Sequence, residues 1–220
     1  MTVPATSWRE RPAPPAALEL WDPWRPPRGG DPERARVRLR DGALLRLRTL
    51  RPDDTEVLQR WFDGLSPESR RLRFFGPKHS LAPYEAARLL ALDGHWQHAI
   101  AALAAPEGAA GDTVAGIVRF VRDREDPRRA EIALGVADAF QSRGLGVLLL
   151  DRILAAAACR GVRRVVGEAL SENRRVARLV RRVAPAVSGR SLGITREFVI
   201  DLERRAEELW SGAGIDGRPS

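Results

Sequence analysis

The sequence predicts one α/β domain in which strands and helices alternate around a mixed sheet. Three observations carry this. Between Ala35 and Leu202, short strand-like apolar runs alternate with stretches whose apolar residues recur at helical spacing. Those segments show no internal repeat, and a chain of 220 residues is long enough for one sizeable core. Finally, Gly144 and Gly146 stand where a strand-like run, Ala130 to Ala137, gives way to a helix-like run, Leu145 to Cys159. A glycine-rich entry to a helix leaves backbone N–H groups bare for an anion, aided by the positive end of the helix dipole.

Taken in order, residues 1–34 are rich in Pro and Arg and lack periodicity, so they read as a disordered or draped N-terminal tail. Its Trp8, Trp21 and Trp24 are candidates for packing onto the domain or for a docking peptide. The domain is expected over 35–205, with a frayed tail over 206–220. Val37 and Leu39, then Asp41-Gly42, then Leu45 and Leu47 read as strand, turn and strand. Arg51-Pro52-Asp53-Asp54 is a turn and cap before a helix with Val57, Leu58, Trp61, Phe62 and Leu65 on one face. Ser66-Pro67 begins a second helix, with proline at its first position. Tyr84 to Leu92 is a third. Strands follow at His98–Ala105, Val114–Arg122 and Ala130–Ala137, then the glycine loop and its helix, closed by Gly161. Arg164–Ala169 is the next strand. Ser171 is expected to cap a helix with Val176, Leu179, Val180 and Val183 on one face, stopped by Pro185. Two final strands are expected near 186–191 and 197–202.

The formal charge is +8, and Lys78 is the only lysine among 37 basic residues. Arginine is spread through every segment and interleaved with acids, which reads as a coding bias and not as a nucleic-acid face. No run reaches the length of a membrane span, and the N-terminus lacks an apolar signal region. No membrane or nucleic-acid partner is therefore expected, and cytoplasmic residence is the default. The single cysteine, Cys159, excludes an internal disulfide and is expected as a small buried hydrophobe. His95-x-x-His98 lacks a suitably spaced third ligand, so no metal is expected. A substrate contact at His98 stays open.

The loop Gln141-Ser142-Arg143-Gly144-Leu145-Gly146 is neither a Gly-x-Gly-x-x-Gly turn nor a P-loop, since no lysine follows its second glycine. Its Gln/Arg-x-x-Gly-x-Gly/Ala pattern resembles the coenzyme A pyrophosphate loop of the GNAT family of N-acetyltransferases. Three further stretches resemble the same family in the right order. They are Arg46 to Asp54, Leu65 to Phe75 and Val166 to Asn173, the last two similar to bacterial Pat-type protein lysine acetyltransferases. The resemblance covers Arg36 to about Leu202. It implies a twisted, mostly antiparallel sheet whose fourth and fifth strands splay apart around the cofactor, with acetyl-CoA as co-substrate. It places the pantetheine arm on the backbone near Val136 and Ala137, and the pyrophosphate on the N–H groups of Arg143, Gly144, Leu145, Gly146 and Val147. Gln141 opens the motif, Arg143 adds a charge, and Asn173 matches the family's asparagine beside the pantetheine.

Acetyl transfer to an amine needs a neutral nucleophile, and a free lysine, with a pKa near 10.4, is mostly protonated at neutral pH. A carboxylate must take that proton. Strand alternation puts Glu131, Ala133, Gly135 and Ala137 on one face, whose small residues are expected to leave room for a ligand. Glu131 matches the Pat-type base; an ion pair with Arg128, Arg129 or another arginine is the competing reading. Glu168 is the second candidate base. The family's tyrosine acid is replaced by Val180, and its Gly-Phe by Ala184-Pro185. The acceptor implied is an amine, most of all a protein lysine; a small amine, or a non-catalytic acyl-CoA sensor, are the alternatives.

Overall fold

The computed structural model describes residues 18–20, 35–104 and 112–205. Apart from Leu18–Leu20, the two expected tails lie outside the described residues. The strands are β1 (Leu18–Leu20), β2 (Ala35–Arg38), β3 (Leu44–Thr49), β4 (Gln97–Ala104), β5 (Thr113–Arg122), β6 (Arg129–Val136), β7 (Arg164–Leu170), β8 (Ser188–Leu192) and β9 (Thr195–Asp201). They form one sheet in the order β1-β2-β3-β4-β5-β6-β7-β9-β8. All neighbours are antiparallel except β1/β2 and β6/β7. The α/β expectation holds, with a strand at Leu18–Leu20 that the sequence did not signal.

Among the described residues the two faces are covered by the helices α1 (Thr55–Asp63), α2 (Pro67–Phe74), α3 (Pro83–Leu89), α4 (Leu145–Cys159) and α5 (Arg174–Val183). On one face α4 buries Leu148, Leu149, Ile153 and Leu154 against Ile100, Val118 and Phe120, while α5 adds Val180 and Val183. On the other, α1 and α3 bury Leu58, Trp61, Phe62 and Ala86 against Ala99, Ala101, Leu103 and Ile117. Each fully buried Leu or Phe contributes about 1.5–3 kcal/mol of transfer free energy, so both faces of the central strands are apolar by necessity.

Local chemistry sets the element ends. Ser66 Oγ accepts from the Ser69 N–H at 3.2 Å and starts α2. Asp54 precedes α1 but leaves its capping role. Its carboxylate binds Arg48 through two bonds of 2.6 Å and accepts the Arg51 N–H at 2.7 Å. The expected Ser171 cap is corrected: Asn173 is the N-cap of α5, with Oδ1 accepting from Val176 N–H at 3.2 Å, while the Ser171 hydroxyl donates to the Gly193 carbonyl at 3.2 Å. Cys159 is also corrected. It is exposed, because the last turn of α4 runs past the core before Gly161 reverses the chain at φ +83°.

Candidate active site

The decisive feature is a break in one strand pair. β6 and β7 pair in register from Arg129↔Arg164 only as far as Ile132↔Gly167. Beyond that, β6 follows β5 up to Val136↔Gly116, and β7 follows β9 up to Leu170↔Thr195. The two strands diverge and open a wedge between Ala133–Val136 and Glu168–Leu170.

Backbone bookkeeping shows what lines it. Ala137 N–H donates to Ala115 C=O at 2.9 Å, which fixes the β5/β6 ladder. By alternation Ala133 and Gly135 also direct their polar groups at β5, and Leu134 and Val136 direct theirs into the gap. Val136 C=O accepts from the Gln141 side chain at 3.1 Å. The Val136 N–H and both polar groups of Leu134 are left facing the wedge. Ala137 offers nothing, since its C=O already accepts from Phe140 at 2.8 Å. Leu134 was missed from sequence, although strand alternation from Val136 reaches it.

At the wide end of the wedge lies the glycine loop. Gly144 has φ +91°, a conformation that favours glycine, and sits at the N-cap of α4 without a side-chain cap. The first turn of α4 contains no acid. Val147 N–H turns back to Gly144 C=O at 3.1 Å, and among the described residues no acceptor meets the N–H groups of Arg143, Gly144, Leu145 or Gly146. A β-carbon on Gly146 would stand 2.5 Å from Leu179 Cδ1, so that glycine also lets α5 approach α4. Arg143 is engaged: its Nε donates to Asp41 in the β2–β3 turn, which holds the Asp41 carboxyl below its ordinary value. Its guanidinium also lies over the Phe140 ring.

Helix α2 bridges the wedge. At its start Ser66 N–H and hydroxyl donate to Asp138 at 2.8 Å each, and the Ser69 hydroxyl donates at 2.9 Å. Burial acts to raise the Asp138 pKa, but these donors outweigh it and hold the carboxyl below its ordinary value. Gln141 joins this network, donating to Ser69 Oγ at 2.9 Å and accepting from Arg175 at 2.8 Å. Farther along α2, Arg71 pairs with Glu172, just past β7, at 2.5 Å. One helix is thus tied to the chain beyond both splayed strands.

Glu131 and Glu168 project on the face that α1 and α2 cover. Glu131 is level with Val166 and Glu168 lies two residues on, so both belong to one side of the sheet. Both are exposed at the wedge. Among the described residues no ion pair ties up Glu131; Arg129 pairs with Asp123 instead, at 3.6 Å. Two expectations fail here. The small residues beside Glu131 do not leave room for a ligand, because Trp61 fills it: a β-carbon on Gly135 would lie 2.3 Å from Trp61 Cζ2, and Trp61 Nε1 donates to Gly135 C=O at 3.1 Å. And the substrate contact left open at His98 finds no support: the side chain is 1 % exposed, level with Phe120 on the α4 face, away from Glu131.

Val180 and Ala184 are core residues, so no hydroxyl stands where the family tyrosine would. Tyr84 is exposed on α3. Asn173 borders a cavity of about 320 Å³ on the β9 side of α5, with Arg174, Arg178, Arg181 and Arg196 in its wall. That cavity is separate from the Glu131 face. Among the described residues no group of three His, Cys, Asp or Glu is arranged for a metal, and no helix is long and apolar enough to cross a membrane.

A splayed parallel strand pair, an uncapped glycine-entered helix at its mouth and a carboxylate beside it define an acyltransferase of the kind that holds a pyrophosphate-linked thioester. The family model described as acetyltransferase (GNAT) domain matches residues 45–184, and the chain belongs to that family. It is 29% identical over 136 residues to acetyltransferase PA5475 of Pseudomonas aeruginosa, covering 62% of this chain and 72% of the relative. It is 29% identical over 161 residues to acetyltransferase Pat of Mycolicibacterium smegmatis, covering 72% of this chain but only 46% of that longer protein. The crystal structure of the GNAT domain of S. lividans PAT superposes with a TM-score of 0.68 at 29% identity, covering 76% of this chain and 96% of that one. The protein is an acetyltransferase, with acetyl-CoA as its co-substrate.

Proposed function

We propose that the chain transfers the acetyl group of acetyl-CoA to the ε-amine of a protein lysine, in one direct step, with Glu131 as general base. The observation that carries this is the β6/β7 break. It leaves the Leu134 and Val136 N–H groups unpaired beside a carboxylate that forms no ion pair among the described residues. Kinship with two proteins called Pat supports the choice of a protein acceptor.

The pyrophosphate rests on the bare N–H groups at the start of α4, from Arg143 to Gly146, with Val147 N–H, bonded to Gly144 C=O, at the edge of the cradle. For Arg143 to join them, a phosphate must compete with Asp41 for its guanidinium. The pantetheine runs along Leu134 and Val136; Asn173 Oδ1 serves the helix cap, and among the described residues no acceptor takes up its Nδ2, which leaves that donor for the cofactor. The amine nitrogen then attacks the thioester carbonyl carbon. Its proton passes to Glu131 through water, which reaches the exposed carboxylate. An N–H of the splayed strand stabilises the charge building on the carbonyl oxygen. The C–S bond breaks, the acetyl carbon is now bonded to nitrogen, and the thiolate takes a proton from water. Glu168 is the second carboxylate on this face and a relay for the same proton.

Glu131→Gln keeps the shape and removes the base, so transfer to a lysine peptide should fall by about 10²–10⁴-fold while acetyl-CoA affinity stays within about twofold. Full-rate transfer by the variant would remove Glu131 from the mechanism.

A further inference from the structure

Arg73 on α2 and Arg119 on β5 stand on the Glu131 side of the sheet. Arg119 is the cross-strand partner of Ala133, two residues from Glu131, and both arginines wall one small cleft with Trp61 and Ala133. The Nε atoms of both are fully enclosed and, among the described residues, find no hydrogen-bond partner. Arg119 Nη2 donates to Gln97 at 2.7 Å, a neutral acceptor, and Arg73 lies over the Phe74 ring, which neutralises no charge. The one carboxylate whose charge acts on both is Glu131, while Arg88 on α3 adds a third cation near Arg119. At the cleft itself two guanidinium groups share the charge of the one carboxylate Glu131, with Glu168 farther along β7, which leaves a local positive excess. That is a poor place for a lysine ammonium to arrive, and a worse one for a polyamine. Half-buried guanidinium groups that form no ion pair among the described residues are, however, well suited to a carboxylate.

We propose that Arg73 and Arg119 form an anion subsite beside Glu131 that receives an acidic side chain next to the acceptor lysine. The favoured acceptors are thus lysines with a neighbouring Asp or Glu. This rests on the protein-lysine reading above. The acidic neighbour brings the charge that offsets the arginines as the amine approaches Glu131.

The test is calorimetric binding of two end-blocked product peptides to the enzyme–CoA complex. They are identical except for Glu or Gln beside the acetyl-lysine. One charge-assisted contact predicts about tenfold tighter binding of the Glu peptide. Arg73→Gln and Arg119→Gln should bring the ratio close to one, with Arg119→Lys restoring part of it. A second arm uses glutarate alone, at matched ionic strength. It should raise the melting temperature of the wild type and not of the Arg73→Gln/Arg119→Gln double variant. Equal binding of both peptides by the wild type, or an unchanged ratio in both variants, overturns the subsite. If neither peptide binds but glutarate still discriminates wild type from double variant, the subsite stands and the protein-lysine reading fails. If glutarate does not discriminate either, both fail. Arginines that only tuned Glu131 would shift the pH profile of transfer to both peptides equally and leave the ratio intact.

Discussion

Replacing Gly135 by alanine would set a methyl carbon 2.3 Å from Cζ2 and 3.2 Å from Cε2 of Trp61. Ordinary carbon contacts lie near 3.5–4.0 Å, so a gap of more than ~1 Å must open. Neither side yields easily. The indole is 2 % exposed and its Nε1 is bonded to the Gly135 carbonyl. The strand is held by β5, with Ile117 opposite Gly135. Overpacking of this kind costs about 1–3 kcal/mol. Alanine also lowers the entropy of the unfolded chain, which returns about 0.4–1 kcal/mol. The clash wins, and a net loss of about 1–2 kcal/mol should lower the melting temperature by about 2–8 °C for a domain of this size. Thermal and urea unfolding would measure it. Pairing the change with Trp61→Leu gives a double-mutant cycle in which the two losses should be clearly less than additive. A variant as stable as the wild type, or strict additivity, would refute the claim that Trp61 packs directly on Gly135.

Other expectations follow from the same geometry. Gly144→Ala forces a β-carbon into φ +91° at a cost of about 1–2 kcal/mol, and should raise the KM for acetyl-CoA with a smaller effect on kcat, read from initial rates. Asp138 has a folded-state pKa below its unfolded value, so its contribution is present above pH ~4 and is lost as pH falls through the folded value. Urea titrations from pH ~5 down to ~2 should show a shallower loss of stability for Asp138→Asn than for wild type. Gln141→Ala frees the Val136 carbonyl and unties Ser69 and Arg175, and should weaken CoA binding several-fold by calorimetry while leaving the melting temperature within a few degrees.

Elements written in local pattern were legible in the sequence. The helix Leu145–Cys159 needed only its apolar spacing and two flanking glycines, and the structure has it with the same ends. The family came from four short stretches whose order the fold preserves. Contacts between distant segments were not legible. Nothing near Gly135 announces that Trp61, 74 residues earlier, covers it, so a face of small residues was read as open space. Arg143 looked free because Asp41 is 102 residues away. Leu134 was within reach of alternation from Val136, but that Val136 and not Ala137 faces the wedge depends on register with β5, a property of a strand pair and not of one strand. The Asn173 cap could have been found, since asparagine immediately before a helical run is a stronger cap position than a serine three residues ahead of it.

Amide hydrogen exchange of the whole chain, with and without CoA, tests the wedge most directly. The account predicts slowed exchange at Leu134, Val136 and the Arg143–Gly146 segment, and little change at Ala133, Gly135 and Ala137, whose N–H groups already serve β5. Protection centred elsewhere, for instance along the arginine-walled cavity between α5 and β9, with Leu134 and Val136 unchanged, would contradict it.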